Sequence, residues 1–154
     1  MIRLAFIALL LLLCAFGPVG NTLARREAAQ FILEKLRREQ GPGWERAGQY
    51  FYWSYAISRD GCELDITRRD GFGSRYAETI PLAQTVPVWL GQGTLRLACR
   101  YDAQCIDFRQ SGPDIQRDGQ IGDTRILAPD PNDLPKLLDA FNELHRLCDD
   151  PYRR

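Results

Sequence analysis

Polar and apolar residues alternate along several short stretches of the chain, and a period of two predicts strands with one buried face. The clearest stretch runs from Thr94 to Phe108 and carries a cysteine on each arm. The core-type positions of its first arm are Leu95, Leu97, Cys99 and Tyr101, and the positions between them are Arg96, Ala98 and Arg100. We interpret this stretch as the central hairpin of a sheet.

The two cysteines of this hairpin constrain its register. A two-residue turn at Asp102-Ala103 would pair Cys99 with Ile106 and would turn Cys105 outward, so that the two sulfurs could not meet. A one-residue β-bulge just beyond a Cys99–Cys105 bridge would return the following residues to the core side. The pattern therefore predicts a bridged loop with a bulge behind it.

A second hairpin is predicted around Asp60-Gly61, a strong turn signal that follows the aromatic stretch from Tyr50 to Ile57. The turn pairs Trp53 with Arg68, Tyr55 with Ile66 and Ile57 with Leu64. One face of the hairpin is then core: Phe51, Trp53, Tyr55, Ile57, Cys62, Leu64 and Ile66. Tyr50 and Tyr52 lie on the opposite face.

Three further strands are predicted at Arg75 to Leu82, Val86 to Leu90 and Thr124 to Leu127. Pro81 and Pro87 place the first two at a sheet edge or a strand end, because proline cannot donate a hydrogen bond to the ladder. Residues 110–123 are polar and glycine-rich without periodicity, which predicts a long loop.

Apolar residues recur every three or four positions near both ends of the chain, which predicts two amphipathic helices. The first covers Arg25 to Gln40. The second covers Leu134 to Cys148, with Asp133 as its N-cap and Pro135 in its first turn. The apolar stripe of the second helix consists of Leu134, Leu137, Leu138, Phe141, Leu144 and Cys148.

The predicted fold class is α+β, with about seven short antiparallel strands in a bent sheet or barrel that the C-terminal helix closes, and an extra N-terminal helix. Seven strands followed by one helix resembles the pleckstrin-homology-like superfold over about residues 48 to 149. The resemblance concerns the order of elements and implies no binding residues.

Residues 1–13 hold one arginine followed by an unbroken apolar run, which is typical of a secretory signal peptide. The run is shorter than the roughly 20 apolar residues that span a bilayer. Small residues at Thr22 and Ala24 predict cleavage near Ala24, and the leucine before Cys14 does not favour a lipoprotein. The mature protein, periplasmic or secreted, would comprise a helix and linker at 25–43, one domain at 44–150 and a tail at 151–154.

Loss of this leader would take one arginine from the 20 basic residues and leave 19 against 20 acidic ones. A net charge near zero gives no general attraction to nucleic acid or to anionic lipid. We therefore expect no nucleic-acid partner, and no transmembrane span in the mature form.

Four cysteines remain after the leader: Cys62, Cys99, Cys105 and Cys148. An even set in an exported chain predicts disulfides, with three possible pairings. A zinc site would need the closely spaced cysteine pairs that this chain lacks. A Cys62–Cys148 bond would tie the last helix to the hairpin at Asp60-Gly61.

No pattern in the sequence names a reaction, and we predict no catalytic residue. The only histidine, His145, flanks the apolar stripe of the last helix, and we interpret it as a packed or surface residue without a catalytic role. A carboxylate-based secreted hydrolase is the alternative, with Asp107 and a second acid that the sequence does not identify. Glu63 and Asp65 alternate outward on the strand after the Asp60-Gly61 turn. Three loop acids, Asp114, Asp118 and Asp123, do not have the spacing of a calcium loop, and we expect neither metal nor cofactor.

Aromatic side chains with polar tips on exposed faces are typical of interfaces, and the candidates are Trp44, Tyr50 and Tyr52. Arg96 and Arg100 share the outward face of the predicted central hairpin, where two guanidinium groups would be placed to clamp an anion. The sequence favours an exported, non-catalytic domain that binds an envelope or extracellular protein, as an inhibitor or immunity protein does. The other alternative is an anion- or lipid-binding module that uses the two arginines.

Overall fold

The structure, a computed structural model, describes residues 18–37, 41–46, 49–91, 94–127 and 132–149, and all their side chains except those of 18–20, 41–46, 49–50 and 127. Its elements in chain order are α1 (Pro18–Arg37), β1 (Gly41–Arg46), β2 (Gln49–Ile57), β3 (Glu63–Asp70), β4 (Arg75–Pro81), β5 (Thr85–Gly91), β6 (Thr94–Cys99), a 3₁₀ turn (Arg100–Asp102), β7 (Ile106–Ser111), β8 (Gln116–Ile121), β9 (Asp123–Leu127) and α2 (Leu134–Cys148).

The strands of the described residues form two antiparallel sheets. The large sheet has the order β1-β2-β3-β4-β7-β8, and the small sheet has the order β5-β6-β9. The predicted α+β class is therefore confirmed, whereas the sheets do not close into a barrel. The chain crosses from one sheet to the other after β4, after β6 and after β8.

The hairpin of β2 and β3 has the predicted register, with Trp53 opposite Arg68, Tyr55 opposite Ile66 and Ile57 opposite Leu64. Gly61 adopts a φ of 79°, a left-handed conformation that glycine reaches without steric cost. Its N–H donates to the Ser58 carbonyl at 2.9 Å. The Asp-Gly turn therefore sets the register of the central strands of the large sheet.

The predicted central hairpin from Thr94 to Phe108 is wrong, and so is the bulge behind it. β6 is the middle strand of the small sheet, whereas β7 lies between β4 and β8 in the large sheet. Strand β6 also ends before Tyr101, which is exposed with a φ of 58°. Alternation identifies a strand and its buried face, but it does not identify the strand's partner.

Both disulfides are present. The sulfurs of Cys99 and Cys105 are 2.07 Å apart, so this bridge joins the end of β6 to the start of β7 and links the two sheets. The sulfurs of Cys62 and Cys148 are 2.08 Å apart and tie α2 to the β2–β3 hairpin. Disulfides are typical of proteins in an oxidising compartment.

The two predictions from proline hold. Pro81 is the last residue of β4, and Pro87 lies in β5, an edge strand of the small sheet. The short strand predicted at Thr124 to Leu127 is also confirmed, as β9.

The long loop predicted at 110–123 is wrong. Strand β8 pairs with β7, and the turn between them is closed by the Gly112 N–H, which donates to the Ile115 carbonyl at 2.8 Å. Every residue of β8 except Ile121 is exposed. A strand that is solvated on both faces has no apolar alternation, so no periodicity in the sequence predicts it.

The helix predicted at Leu134 to Cys148 is confirmed as α2. Asp133 occupies its N-cap position, but the carboxylate accepts from Lys35 of α1 at 2.6 Å instead of capping a helix N–H. Helix α1 begins at Pro18, before the predicted start at Arg25, and residues 38–40 lie outside the described residues.

The core lies where the two helices, the inner face of the large sheet and the small sheet meet. Its fully buried members are Ile32, Leu36, Leu64, Ile66, Ile80, Leu82, Leu95, Leu97, Ile106, Ile126, Leu137 and Leu144. The predicted stripe of α2 contributes Leu137 and Leu144 to this set, and Leu147, outside the predicted stripe, is also buried.

Candidate functional site

A buried polar cluster joins the two sheets. Glu78 of β4 is only 3% exposed and pairs with Arg68 of β3, while its other carboxylate oxygen accepts from the Thr124 hydroxyl of β9. The Arg68 guanidinium lies 5.1 Å from the centroid of the Trp53 ring and 5.7 Å from that of Tyr76. The charge pair lies within the large sheet, and the hydrogen bond from Thr124 connects it to the small sheet, so we interpret the cluster as structural.

The opposite face of the large sheet, here called the outer face, is open to solvent across five strands. Residues directly opposite one another on neighbouring strands share a face, so the paired register defines its rows. The rows are Tyr52-Arg69-Arg75-Ser111-Gln116, Ser54-Thr67-Ala77-Arg109-Asp118 and Ala56-Asp65-Thr79-Asp107-Gln120. All of these residues are exposed except Thr67, Ala77 and Thr79, which are half-buried.

One end of the outer face is acidic and hydrogen-bonded. Asp65 accepts from the Thr79 hydroxyl at 2.7 Å, and Asp107 accepts from the Gln120 amide at 3.0 Å. A shallow groove of about 370 Å³ lies beside them, lined by Asp107, Asp118 and Arg109 among others. Asp107 is exposed on an open sheet, and the groove has no walls that would exclude water.

The other end of the outer face is basic. Arg69 and Arg75 lie directly opposite each other on β3 and β4, and Tyr52 lies opposite Arg69 on β2. Among the described side chains, neither of these two arginines forms an ion pair. Like charges directly opposite each other in a sheet destabilise it, so an acidic binding partner would relieve a repulsion that exists in the free protein.

Of the three aromatic candidates, Tyr52 is 47% exposed on the predicted face of β2. Trp53 and Tyr55 are buried on the other face, as predicted. Trp44 lies in β1 and Tyr50 in β2, but their side chains lie outside the described residues.

The structure does not place Arg96 and Arg100 together on one hairpin, because that hairpin does not exist. Arg96 lies in β6, 3.8 Å from the Asp123 carboxylate. Arg100 follows β6, stacks on Tyr101 and lies 3.7 Å from the Asp149 carboxylate. Each arginine already has an acidic neighbour, and their role in binding an anion stays a prediction.

His145 of α2 is half-buried. Its Nδ1 lies 3.2 Å from the Leu82 carbonyl, and its Nε2 lies 3.3 Å from the Arg100 guanidinium. The sequence allowed a packed or a surface position for His145, and the structure shows a packed one. Glu63 is exposed at the start of β3. The calcium candidates Asp114, Asp118 and Asp123 belong to the exposed hairpin of β7 and β8 and to β9.

Within the described ranges, no three His, Cys, Asp or Glu side chains are grouped as a metal site would require. None of the described helices is long and apolar enough to cross a membrane. No family model matches the chain, and no curated protein or solved structure shows significant similarity to it.

The basic end of the outer face was missed in the sequence. Arg69 and Arg75 belong to different strands, and only the β3–β4 register brings them opposite each other. Asp70-Gly71-Phe72-Gly73 marked the turn between those strands, so pairing β3 with β4 through that turn was the available signal.

Proposed function

We propose that the protein is an exported, non-catalytic domain that binds a protein partner through its outer face. The observation that carries the proposal is the basic end of that face, where an exposed tyrosine stands beside two opposed arginines without acidic partners. Tyrosine and arginine are enriched among the residues that dominate protein–protein binding energy.

The shape of the outer face supports the same function. Its middle row contains the small side chains Ser54, Thr67 and Ala77, so a partner can approach the sheet closely. Its two ends have opposite charge, which favours a partner with the complementary pattern and one orientation. A surface of this kind suits a partner protein better than a small ligand, which needs a concave site.

The proposal also includes a cellular location and a class of partner. The two disulfides agree with a periplasmic or secreted protein, and the apolar leader predicted at 1–24 gives the route of export. The partner would be another envelope or extracellular protein, and an inhibitor or immunity protein for a secreted toxin is the form that fits a small domain without catalytic residues.

The decisive experiment places a photo-crosslinking amino acid at position 54, in the middle of the outer face, and identifies captured proteins by mass spectrometry. The matched control carries the crosslinker at Asn142, on the exposed side of α2. A protein captured from position 54 and not from 142 supports the proposal. Equal capture from both positions, or capture from neither, contradicts it.

The captured partner then allows a quantitative test. Replacing Arg69 and Arg75 together with alanine should weaken its binding by at least tenfold, and Tyr52→Ala should do the same, since central tyrosine and arginine residues each contribute about 2 kcal/mol or more at such sites. The charge-matched control replaces both Arg37 of α1 and Arg146 of α2, two exposed arginines outside the outer face, with alanine and should leave the affinity unchanged.

One observation favours a second candidate, a carboxylate-based hydrolase. The groove of about 370 Å³ is lined by Asp107 and by Asp118, an acid that lies diagonally across from it on β8. The test is hydrolysis of a panel of envelope polysaccharides, in which an enzyme would lose at least about a hundredfold in rate with Asp107→Asn. Absence of any hydrolysis by the unmodified protein removes this candidate.

A further inference from the structure

A second concave region lies between α1 and the turn of the β2–β3 hairpin, at the opposite end of β2 from Tyr52. This helix–hairpin groove has a volume of about 320 Å³. Its charged and apolar lining includes Arg25, Arg26 and Leu33 of the helix and Ile57, Arg59 and Asp60 of the hairpin. The volume is at the lower end of the range found for small-molecule sites.

Arg25 is the unusual member of this groove, because it is an arginine that is only 7% exposed. Its stem packs on Gly61, where an added Cβ would lie 3.1 Å from Arg25 Cγ. Its Nη1 lies 3.8 Å from the Cys62 sulfur, a weak acceptor. No carboxylate among the described residues forms an ion pair with it.

A guanidinium has five N–H donors. A sulfur contact satisfies at most one of them. None of the Arg25 nitrogens is fully buried without a hydrogen-bond partner, so the donors that are not engaged remain open to water in the groove. Arg25 therefore lines the groove with unused donors and a full positive charge, which is the arrangement that an anionic ligand completes.

The remaining charged residues of the groove also favour an anionic ligand. Arg26 and Arg59 are exposed at its rim and form no ion pair among the described side chains. The one acid, Asp60, is engaged in its own turn, where it accepts from the Ser58 hydroxyl at 2.6 Å and from the Cys62 N–H at 3.1 Å. Leu33 and Ile57 add an apolar wall.

We propose that the helix–hairpin groove binds a small organic anion, with its carboxylate on Arg25 and a short apolar part on the wall formed by Leu33 and Ile57. A free short-chain acid and the C-terminal carboxylate of a peptide that ends in an apolar residue both have this chemistry. The site is independent of the outer face, so either proposal can fail without the other.

The test measures amide chemical shifts of the oxidised protein during titration with hexanoate, and with hexanol as the neutral match. Shifts at Ile57, Ser58 and Gly61 that saturate with hexanoate and not with hexanol are expected. Parallel titrations with a tripeptide ending in leucine, as free acid and as amide, separate the two ligand sources. If neither hexanoate nor the tripeptide free acid saturates the amide shifts up to about 10 mM, the binding free energy is weaker than about 3 kcal/mol, and the proposal is overturned.

Variants assign the site to its residues. Arg25→Gln should raise the hexanoate Kd at least tenfold, whereas Arg37→Gln, an exposed arginine of the same helix outside the groove, should leave it unchanged. Because Arg25→Gln could disturb packing on Gly61, Arg59→Gln at the exposed rim provides the second variant and should raise the Kd severalfold. Unchanged affinity in both groove variants would overturn the assignment.

Discussion

At the scale of single residues, Glu78 is a buried carboxylate that contacts side chains of two other strands. It receives the Arg68 guanidinium from β3 and the Thr124 hydroxyl from β9, and so it forms one of the polar contacts between the two sheets. Removal of one partner from a buried charge pair leaves the other charge uncompensated in a medium of low polarity. Arg68 is partly screened, since 21% of its side chain is exposed.

We expect Glu78→Gln to lower the free energy of unfolding by about 3 kcal/mol, the lower part of the range for a broken buried pair. Urea denaturation with the disulfides intact measures it. The matched control is Glu143→Gln on α2, where the hydrogen bond from Arg146 lowers the pKa of an exposed carboxylate. Solvent screens that pair, so the control should change stability little, and equal effects of both substitutions would contradict the role given to Glu78.

Gly61 is constrained twice, by its φ of 79° and by the stem of Arg25 above it. We expect Gly61→Ala to cost about 1–2 kcal/mol, because a side chain in the left-handed region is strained and its Cβ would crowd Arg25. Gly71→Ala is the control, since nothing lies within 4 Å of the position its Cβ would take. Comparable melting temperatures for the two variants would show that the turn tolerates a side chain.

At the scale of elements, the sequence predicted most of the strands that have one buried face, and it missed β1 and β8. Trp53 and Tyr55 on β2 mark a core side, and the Asp60-Gly61 turn fixes the pairing with β3, so this hairpin was predictable to the residue. Strand β8 is solvated on both faces and left no pattern. The partner of β6 was not predictable, because its alternation fits any neighbour with an apolar face.

The candidate sites depend on pairings of this kind. Tyr52 could be placed on an exposed face because the Asp60-Gly61 turn sets the register of β2 with β3. The opposition of Arg69 and Arg75 depends on the pairing of β3 with β4, and the burial of Arg25 depends on where α1 packs. No local pattern in the sequence predicts the burial of Arg25, because helix packing is decided by residues distant in sequence.

The two bridges connect elements at very different distances along the chain, 86 residues for Cys62–Cys148 and 6 for Cys99–Cys105. The entropy of the unfolded chain falls more when a longer loop is closed. Replacing Cys62 and Cys148 with alanine should therefore cost about 4–5 kcal/mol, against about 2 kcal/mol for Cys99 and Cys105. Chemical denaturation of the two double variants tests the order, and a larger loss from the short bridge would contradict it.

At the scale of the whole molecule, export is the property that the leader predicts. Expressed in a host with a secretory pathway, the protein should be recovered outside the cytoplasm with Arg25 as its first residue, as intact mass and N-terminal sequencing would show. Helix α1 would then begin where Arg25 packs on Gly61. Recovery of the uncleaved chain from the cytoplasm with all five cysteines as free thiols would contradict this prediction.

The bridge between the sheets also has a consequence for proteolysis. Residues 101–104 are exposed, so chymotrypsin can reach Tyr101. A cut there would separate the sequence into two pieces, yet both disulfides span the cut, since each has one cysteine on either side of it. The nicked protein should run as one band without reductant and as two bands with it. In a compartment rich in proteases, a chain joined in this way survives the loss of a peptide bond at its most accessible turn.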